Sequence, residues 1–437
     1  MSMGERVETM ETASKRWDKR HTAALLSALS MGLGQMYNRQ WLKGLLLFFL
    51  QCTYLVVFFD LFNIGLWGIV TLGEIPLVDN SLELLAQGII SLLLIAFGIV
   101  CYAINISDAW RVGEMRERGM SPPGIWETYR NVTERGFPYL VIAPAMVLMI
   151  FVVFFPIAYM FVLAFTNYDL YHQPPAKLIN YVGLTNFVNL FQSDLWKGSL
   201  VSVFSWTVVW TIISTTVQVA LGLFLAVLIH QKRVRFKKFF RTVLILPWAV
   251  PSFVTIIVFS GLFDDNFGPV NQLLTSLGLH AIPWLNDPFW CKVAILLIQF
   301  WLGFPFSLVL YTGVLQSISS DLYEAAEVDG ATAWQKFRHI TLPMALYATA
   351  PLLIVQYAGN FNNFNVIYLF NRGGPAVPGQ TAGGTDILIS WVYKLTFQTF
   401  KYNYAAAISV LIGLVVMSLS ILQFRNTRSF KEEGMVE

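Results

Sequence analysis

Along the 437-residue chain, long uninterrupted apolar runs alternate with short polar connections. A bilayer core takes about 20 apolar residues per helix, because each residue rises about 1.5 Å and lipid offers no partner to a free backbone amide. Eight runs meet that length, near 41–63, 84–107, 138–166, 200–229, 242–263, 293–317, 344–369 and 403–424. Each predicts a membrane-spanning helix. A ninth apolar patch, 22–38, is shorter and broken by Gly32, Gly34, Gln35 and Asn38, which predicts an interfacial or re-entrant helix. The expected fold class is all-α: a polytopic membrane protein of about eight transmembrane helices.

Basic residues orient the bundle. The connection 230–241 holds Lys232, Arg233, Arg235, Lys237, Lys238 and Arg241, and 108–137 holds Arg111, Arg116, Arg118, Arg130 and Arg135, whereas 64–83 has no Lys or Arg. The positive-inside rule then predicts that both termini, 108–137, 230–241 and 318–343 face the cytoplasm. The segments 64–83, 167–199, 264–292 and 370–402 are expected to face outward. The polar stretch 108–137, with Pro122, Pro123 and Gly124, divides the chain. It separates an N-terminal segment (1–40) and two spans (41–107) from a six-helix core (138–424) and a short tail (425–437).

Composition narrows the chemistry. Charged residues make up 13% of the chain and hydrophobic residues 56%. Soluble domains carry about 25% charged residues, so lipid must solvate much of this surface. A net charge of +3 gives no reason to expect nucleic acid. Cys52, Cys101 and Cys291 lie in or beside apolar runs without the spacing of a disulfide framework or a zinc site. The polar, mixed-charge stretch Met1 to His21 is unlike a signal peptide. His21, His172, His230, His280 and His339 are scattered, with no metalloprotease or nucleophile–base pattern, which argues against a polytopic enzyme.

Two features carry candidate function. The first is the connection 318–343, where Asp321 and Glu324 have the spacing of a capping box, Gly330 suits a left-handed helix end, and Thr332 with Gln335 forms a second box. Thr341 and Pro343 suit the cap and first turn of the next span. An ordinary amphipathic connection would account for part of this pattern. The second feature lies inside the spans. The six core spans contain no Asp, Glu, Lys, Arg or His, which counts against proton or sodium coupling and against a charged cargo. Helical spacing instead aligns Gln356, Gly359, Asn360 and Asn363 on the seventh span, Gln299, Gly303 and Phe306 on the sixth, and Trp248 with Ser252 on the fifth. Amides donate and accept, as sugar hydroxyls require, and aromatic rings stack on pyranose faces. A single amide is as well explained by helix–helix contact. Three aligned faces favour a neutral polyhydroxyl site.

The run Glu324-Ala325-Ala326, with Gly330 six residues after Glu324 and Leu342-Pro343 at the far end, resembles the EAA loop of permease subunits of bacterial ATP-driven importers. The resemblance implies that Glu324, Ala325, Ala326 and Gly330 dock into a separate ATPase, with Leu342 and Pro343 closing the segment. ATP and Mg²⁺ would belong to that partner, since this chain has no phosphate-cradling Gly-x-x-x-x-Gly-Lys-Ser/Thr and needs no cofactor of its own. Asn360-Phe361-Asn362-Asn363-Phe364 followed by Gly373-Gly374-Pro375, with Leu246-Pro247-Trp248 and Val182-Gly183-Leu184-Thr185-Asn186-Phe187, is similar to the F-type permease subunit of maltose/maltodextrin importers. That family implies a core of six helices preceded by two extra helices. It also implies a second permease subunit, an ATPase homodimer and an extracellular sugar-binding protein as partners. Its sugar contacts, carried over position by position, fall on Trp248, Ser252, Gln299, Gly303, Phe306, Gln356, Gly359, Asn360 and Asn363. Two departures stand out. The connection 167–199 is short where the best-known member has a large external domain, and Gln299, Gln356 and Gly359 differ from the residues expected there. Maltodextrin is the expected cargo, another neutral oligosaccharide such as galacto-oligosaccharide the alternative, and a secondary sugar carrier the reading outside this class.

Overall fold

A computed structural model describes residues 18–134, 136–231 and 233–426, so expectations resting on 1–17, Arg135, Lys232 and 427–437 lie outside the described residues. The regular structure there is helical, and Ala376 and Gly383 form an isolated antiparallel bridge. Among the described residues, five helices are long and apolar enough to cross a membrane, two further candidates are bent helix pairs, and Tyr402–Ser418 is a shorter apolar helix. The chain forms two compact units, 1–162 with 171–181 and 163–170 with 182–437.

In the first unit, α1 (Lys19–Leu29) and α2 (Leu33–Tyr37) are short. They are followed by α3 (Trp41–Val57) and α4 (Phe59–Thr71), one apolar span bent by 51°. Then come α5 (Ser81–Glu117), α6 (Ile125–Glu134) and the apolar α7 (Phe137–Leu163). The helical run extends to Thr71, past the expected end near 63, with its bend at Phe58, and its glycines pack on α5. A Cβ on Gly65 would collide with Ser91 Oγ, and one on Gly88 would lie 2.5 Å from Ile69 Cβ, so α4 and α5 meet almost backbone to backbone. The Gly32–Tyr37 patch also acquires a physical role. Gln35 Nε2 donates to Asn105 O and Asp108 Oδ2 (both 3.0 Å), and Asn38 Nδ2 donates to Ala109 O (2.8 Å). A side chain on Gly34 would collide with the Ala23 carbonyl. This pair of helices is a polar clamp on α5.

The second unit contains α8 (Thr185–Gln192), α9 (Asp194–His230), α10 (Lys237–Ile245), α11 (Ser252–Leu262), α12 (Pro269–Ser276) and α13 (Pro288–Ser317). It continues with α14 (Ser320–Val328), α15 (Ala333–Lys336), α16 (Leu342–Phe361), α17 (Phe364–Asn371), α18 (Leu388–Phe397) and α19 (Tyr402–Asn426). The long α9 and α13 pack along each other at small residues. A Cβ on Gly222 would collide with Ser307 Cβ. Two apolar clusters flank this contact. One gathers Trp206, Trp210, Ile295, Ile298 and Ile367, and the other Leu223, Ala226, Leu308, Tyr311 and Ala345.

Two sequence motifs turn out to be structural. Asn186 Nδ2 donates to Ala164 O (2.9 Å) and Thr166 O (2.8 Å), and its Oδ1 accepts from Asn403 Nδ2 (3.0 Å), so it ties the start of α8 to α19. In the Gly373-Gly374-Pro375 loop, Gly373 has φ +73° and any side chain there would strike Asp386 Oδ1. Asp386 is buried and accepts from Gly383 N (2.7 Å), Ser390 Oγ (2.8 Å) and Lys394 Nζ (2.6 Å). Burial pushes its carboxyl up from the ordinary range, while the Lys394 ammonium pulls it back. Removing one member of a buried pair costs about 3–5 kcal/mol. Lys394→Met should therefore lower the thermal unfolding midpoint of the purified protein by several degrees, and an unchanged midpoint would contradict this account of the loop.

Candidate functional site

Between the two apolar clusters, α9, α13 and α16 contribute a buried polar layer. Gln299 Nε2 on α13 donates to Gln218 Oε1 on α9 (3.0 Å) and to Asn360 Oδ1 on α16 (3.1 Å). Asn360 Nδ2 in turn donates to Thr215 Oγ1 (2.8 Å), and Asn363 Nδ2 donates to Gln299 Oε1 (2.9 Å). Gln218, Gln299 and Asn360 are 4%, 7% and 5% exposed, so the layer lies in the interior of the unit. Amides this deep are stable because they satisfy one another.

The expected faces are only partly helical faces. Asn363 does not share a helix with Gln356, Gly359 and Asn360, because α16 ends at Phe361 and Asn363 (φ −78°, ψ 79°) caps α17. Its amide nevertheless reaches the layer from that break. Trp248 and Ser252 likewise do not lie on one helix. Pro247 and Pro251 each remove an N–H, and the span is broken there by 87°, with Trp248 in the 3₁₀ turn Leu246–Ala249 and Ser252 opening α11. Gln299, Gly303 and Phe306 do share the unbroken α13.

The aromatic half is built by Trp248, which is 51% exposed and has its ring centroid 5.9 Å from that of Phe306. Gly359 faces open space, with no neighbour within 4 Å of where a Cβ would stand, whereas Gly303 is filled: a Cβ there would collide with Gln218 Oε1. The space at Gly303 thus accommodates the Gln218 amide, not a ligand. Gln356 Oε1 is buried and has no hydrogen-bond partner among the described residues. Ser252 is exposed. Thr215 and Gln218 are members of the layer that sequence reasoning missed. Their signal is a stripe of polar and small residues at helical spacing in an apolar run, Thr207, Thr211, Ser214, Thr215, Gln218 and Gly222, all of them buried.

The connection 318–343 is two helical pieces held rigidly. The first starts two residues before the expected box: Ser319, not Asp321, is the cap, accepting from Asp321 N at 3.2 Å. It ends in a Schellman arrangement, with Gly330 at φ +74°, Ala331 N bonded to Ala326 O (2.9 Å) and Gly330 N to Glu327 O (3.1 Å). The Thr332–Gln335 capping box is present. Thr341, however, caps nothing, because the helix runs through a π turn at Phe337–Thr341 straight into α16. The widened turn accommodates the ring of Pro343, which would otherwise press on the carbonyl four residues back. Thr341 Oγ1 instead pairs with Tyr323 OH (2.9 Å), and Lys336 Nζ with Glu327 Oε1 (2.7 Å). Tyr323, Phe337, Ile340 and Leu342 pack on the cluster around Tyr311. Glu324 and Ala325 stay exposed, beside Val328 and Trp334, which are 89% and 66% exposed.

Residues 218–429 match the family described as the binding-protein-dependent transport system inner membrane component. The galactooligosaccharides transport system permease protein GanP of Bacillus subtilis is 53% identical over 413 residues, 94% of this chain and 99% of that protein. The chain belongs to this permease family. The maltodextrin transport system permease protein MdxF of the same organism is 44% identical over 96% of this chain and 98% of its own length. The fold agrees with a solved bacterial transporter involved in import of the acidic polysaccharide alginate, at 23% identity and a TM-score of 0.58, covering 69% of this chain and 98% of that one. The chain is therefore an all-α, multi-pass membrane subunit of a binding-protein-dependent transport system.

Proposed function

We propose that this permease carries a neutral oligosaccharide through the amide layer on α9, α13 and α16, lined further by Trp248 and Phe306. The observation that carries this reading is a buried, mutually hydrogen-bonded set of amides within apolar stretches, 200–229, 293–317 and 344–369, that hold no Asp, Glu, Lys, Arg or His. Such a site matches hydroxyl groups and has nothing to neutralise a charged sugar or to couple to protons. Maltodextrin is the first reading of the cargo, supported by the 44% identical relative. The 53% identical relative favours galacto-oligosaccharide as the second.

The coupling surface at Glu324, Ala325, Ala326 and Gly330 receives one ATPase subunit of a homodimer, and a second permease subunit completes the conduit. ATP binding closes the ATPase dimer, draws the coupling helices together and opens the bundle outward to a sugar-loaded receptor. Hydrolysis, on the partner, resets it. Both termini and 318–343 are cytoplasmic on this reading. In nanodiscs holding the assembled complex, receptor loaded with maltotriose should stimulate ATPase activity several-fold over unloaded receptor. Stimulation by galactotriose-loaded receptor alone would keep the importer and move the cargo to the second reading. A lack of response to both would overturn the oligosaccharide assignment.

A further inference from the structure

The two α9 residues of the polar layer touch the amides that face the sugar on the reading above, and on that reading they have a task of their own. Gln218 Oε1 takes one Nε2 hydrogen of Gln299 and Asn360 Oδ1 takes the other, at 3.0 and 3.1 Å. With both hydrogens committed, Gln299 offers only its Oε1, which already accepts from Asn363 at 2.9 Å. Thr215 Oγ1 accepts from Asn360 Nδ2 at 2.8 Å, which turns Asn360 Oδ1 toward Gln299. Trp210 Nε1 fixes the backbone at the same residue, donating to Asn360 O at 2.9 Å. Space for the Gln218 amide exists only because residue 303 has no side chain.

We propose that Gln218 and Thr215 are positioning residues for the transported sugar: they lock the amides of Gln299 and Asn360 in one orientation. A primary amide presents a donor on one side and an acceptor on the other, and half a turn about its terminal bond exchanges them. Gln218 and Thr215 hold the two amides against that exchange from the helix behind them, so every sugar meets the same order of donors and acceptors. Without them, each amide samples both orientations, and a sugar selects the productive one at the cost of part of its affinity.

The test uses the complete complex in proteoliposomes, with receptor and labelled maltotriose, and galactotriose in parallel. The readout is sugar moved per ATP hydrolysed, together with receptor-stimulated ATPase activity. Gln218→Leu and Thr215→Val keep side-chain volume and remove the hydrogen bond, and each should lower the sugar-to-ATP ratio about fivefold, the usual worth of one neutral hydrogen bond. Thr215→Ser keeps the acceptor and should retain most of the ratio. A purely structural role would reduce assembly and ATPase activity together and leave the ratio unchanged. Wild-type ratios in both Gln218→Leu and Thr215→Val overturn the inference. If Asn360→Ala and Asn363→Ala also keep the wild-type ratio, the sugar-site reading itself fails. If they lose it while the α9 variants do not, only the positioning role fails. A wild-type complex that moves neither sugar sinks the oligosaccharide reading and this inference with it.

Discussion

Replacing Glu324 by lysine should abolish ATP-driven uptake and leave the chain inserted and folded. The carboxylate is exposed on α14 and takes no part in what holds that helix. Its start is fixed by Ser319, its end by the Gly330 turn, and its side by the Tyr323–Thr341 and Glu327–Lys336 pairs. Charge reversal therefore costs the isolated subunit less than about 0.5 kcal/mol, the usual range at an exposed helix surface. At a docking surface the same reversal opposes charges chosen to attract, at a cost of several kcal/mol, which is a hundredfold or more in affinity. Expression and membrane insertion should match wild type, co-purification of the ATPase should fall sharply, and uptake should be lost. Normal uptake by Glu324→Lys would remove 318–343 from the coupling role.

The double substitution Asn360→Ala with Asn363→Ala should have the second large effect. Asn360 bridges Gln299 and Thr215, and Asn363 reaches Gln299 from the break after α16. Truncating both strips the layer of two of its amides and leaves Gln299 with a single partner, Gln218. Each lost bond to a sugar hydroxyl is worth about 1 kcal/mol. Together with the loss of ordered geometry, uptake should fall at least tenfold. The connection 318–343 packs on the separate cluster around Tyr311, so co-purification of an ATPase should be unaffected. Parallel measurement of uptake and co-purification checks this. Full uptake with both alanines in place would move the sugar path away from these helices.

The spans are legible in the sequence because lipid imposes one simple demand, about 20 apolar residues per crossing. Gly330 and the Thr332–Gln335 box are equally legible, since left-handed turns and helix starts use few residue types. Where helical spacing misleads, proline or glycine acts non-locally. Pro247 and Pro251 break the span under Trp248 and Ser252, and Gly65 and Gly88 are where α4 and α5 pack. Pro343 reads as a helix start but sits in a continuous helix, because a π turn ahead of it absorbs the misfit. Gly303 is among the expected sugar contacts, and only the path of α9 shows that the Gln218 amide occupies the space beside it. Gln218 and Thr215 escape a sequence reading because a polar stripe on one apolar helix has no meaning until its partner helices are known.

The most direct test of the whole account is uptake of labelled oligosaccharide into proteoliposomes containing this chain with its second permease subunit, ATPase and receptor. Accumulation against a gradient is expected with ATP on the ATPase side, and none without ATP or with this chain alone. Accumulation by this chain alone, without ATP, would make it a secondary carrier and contradict the ATP-driven permease.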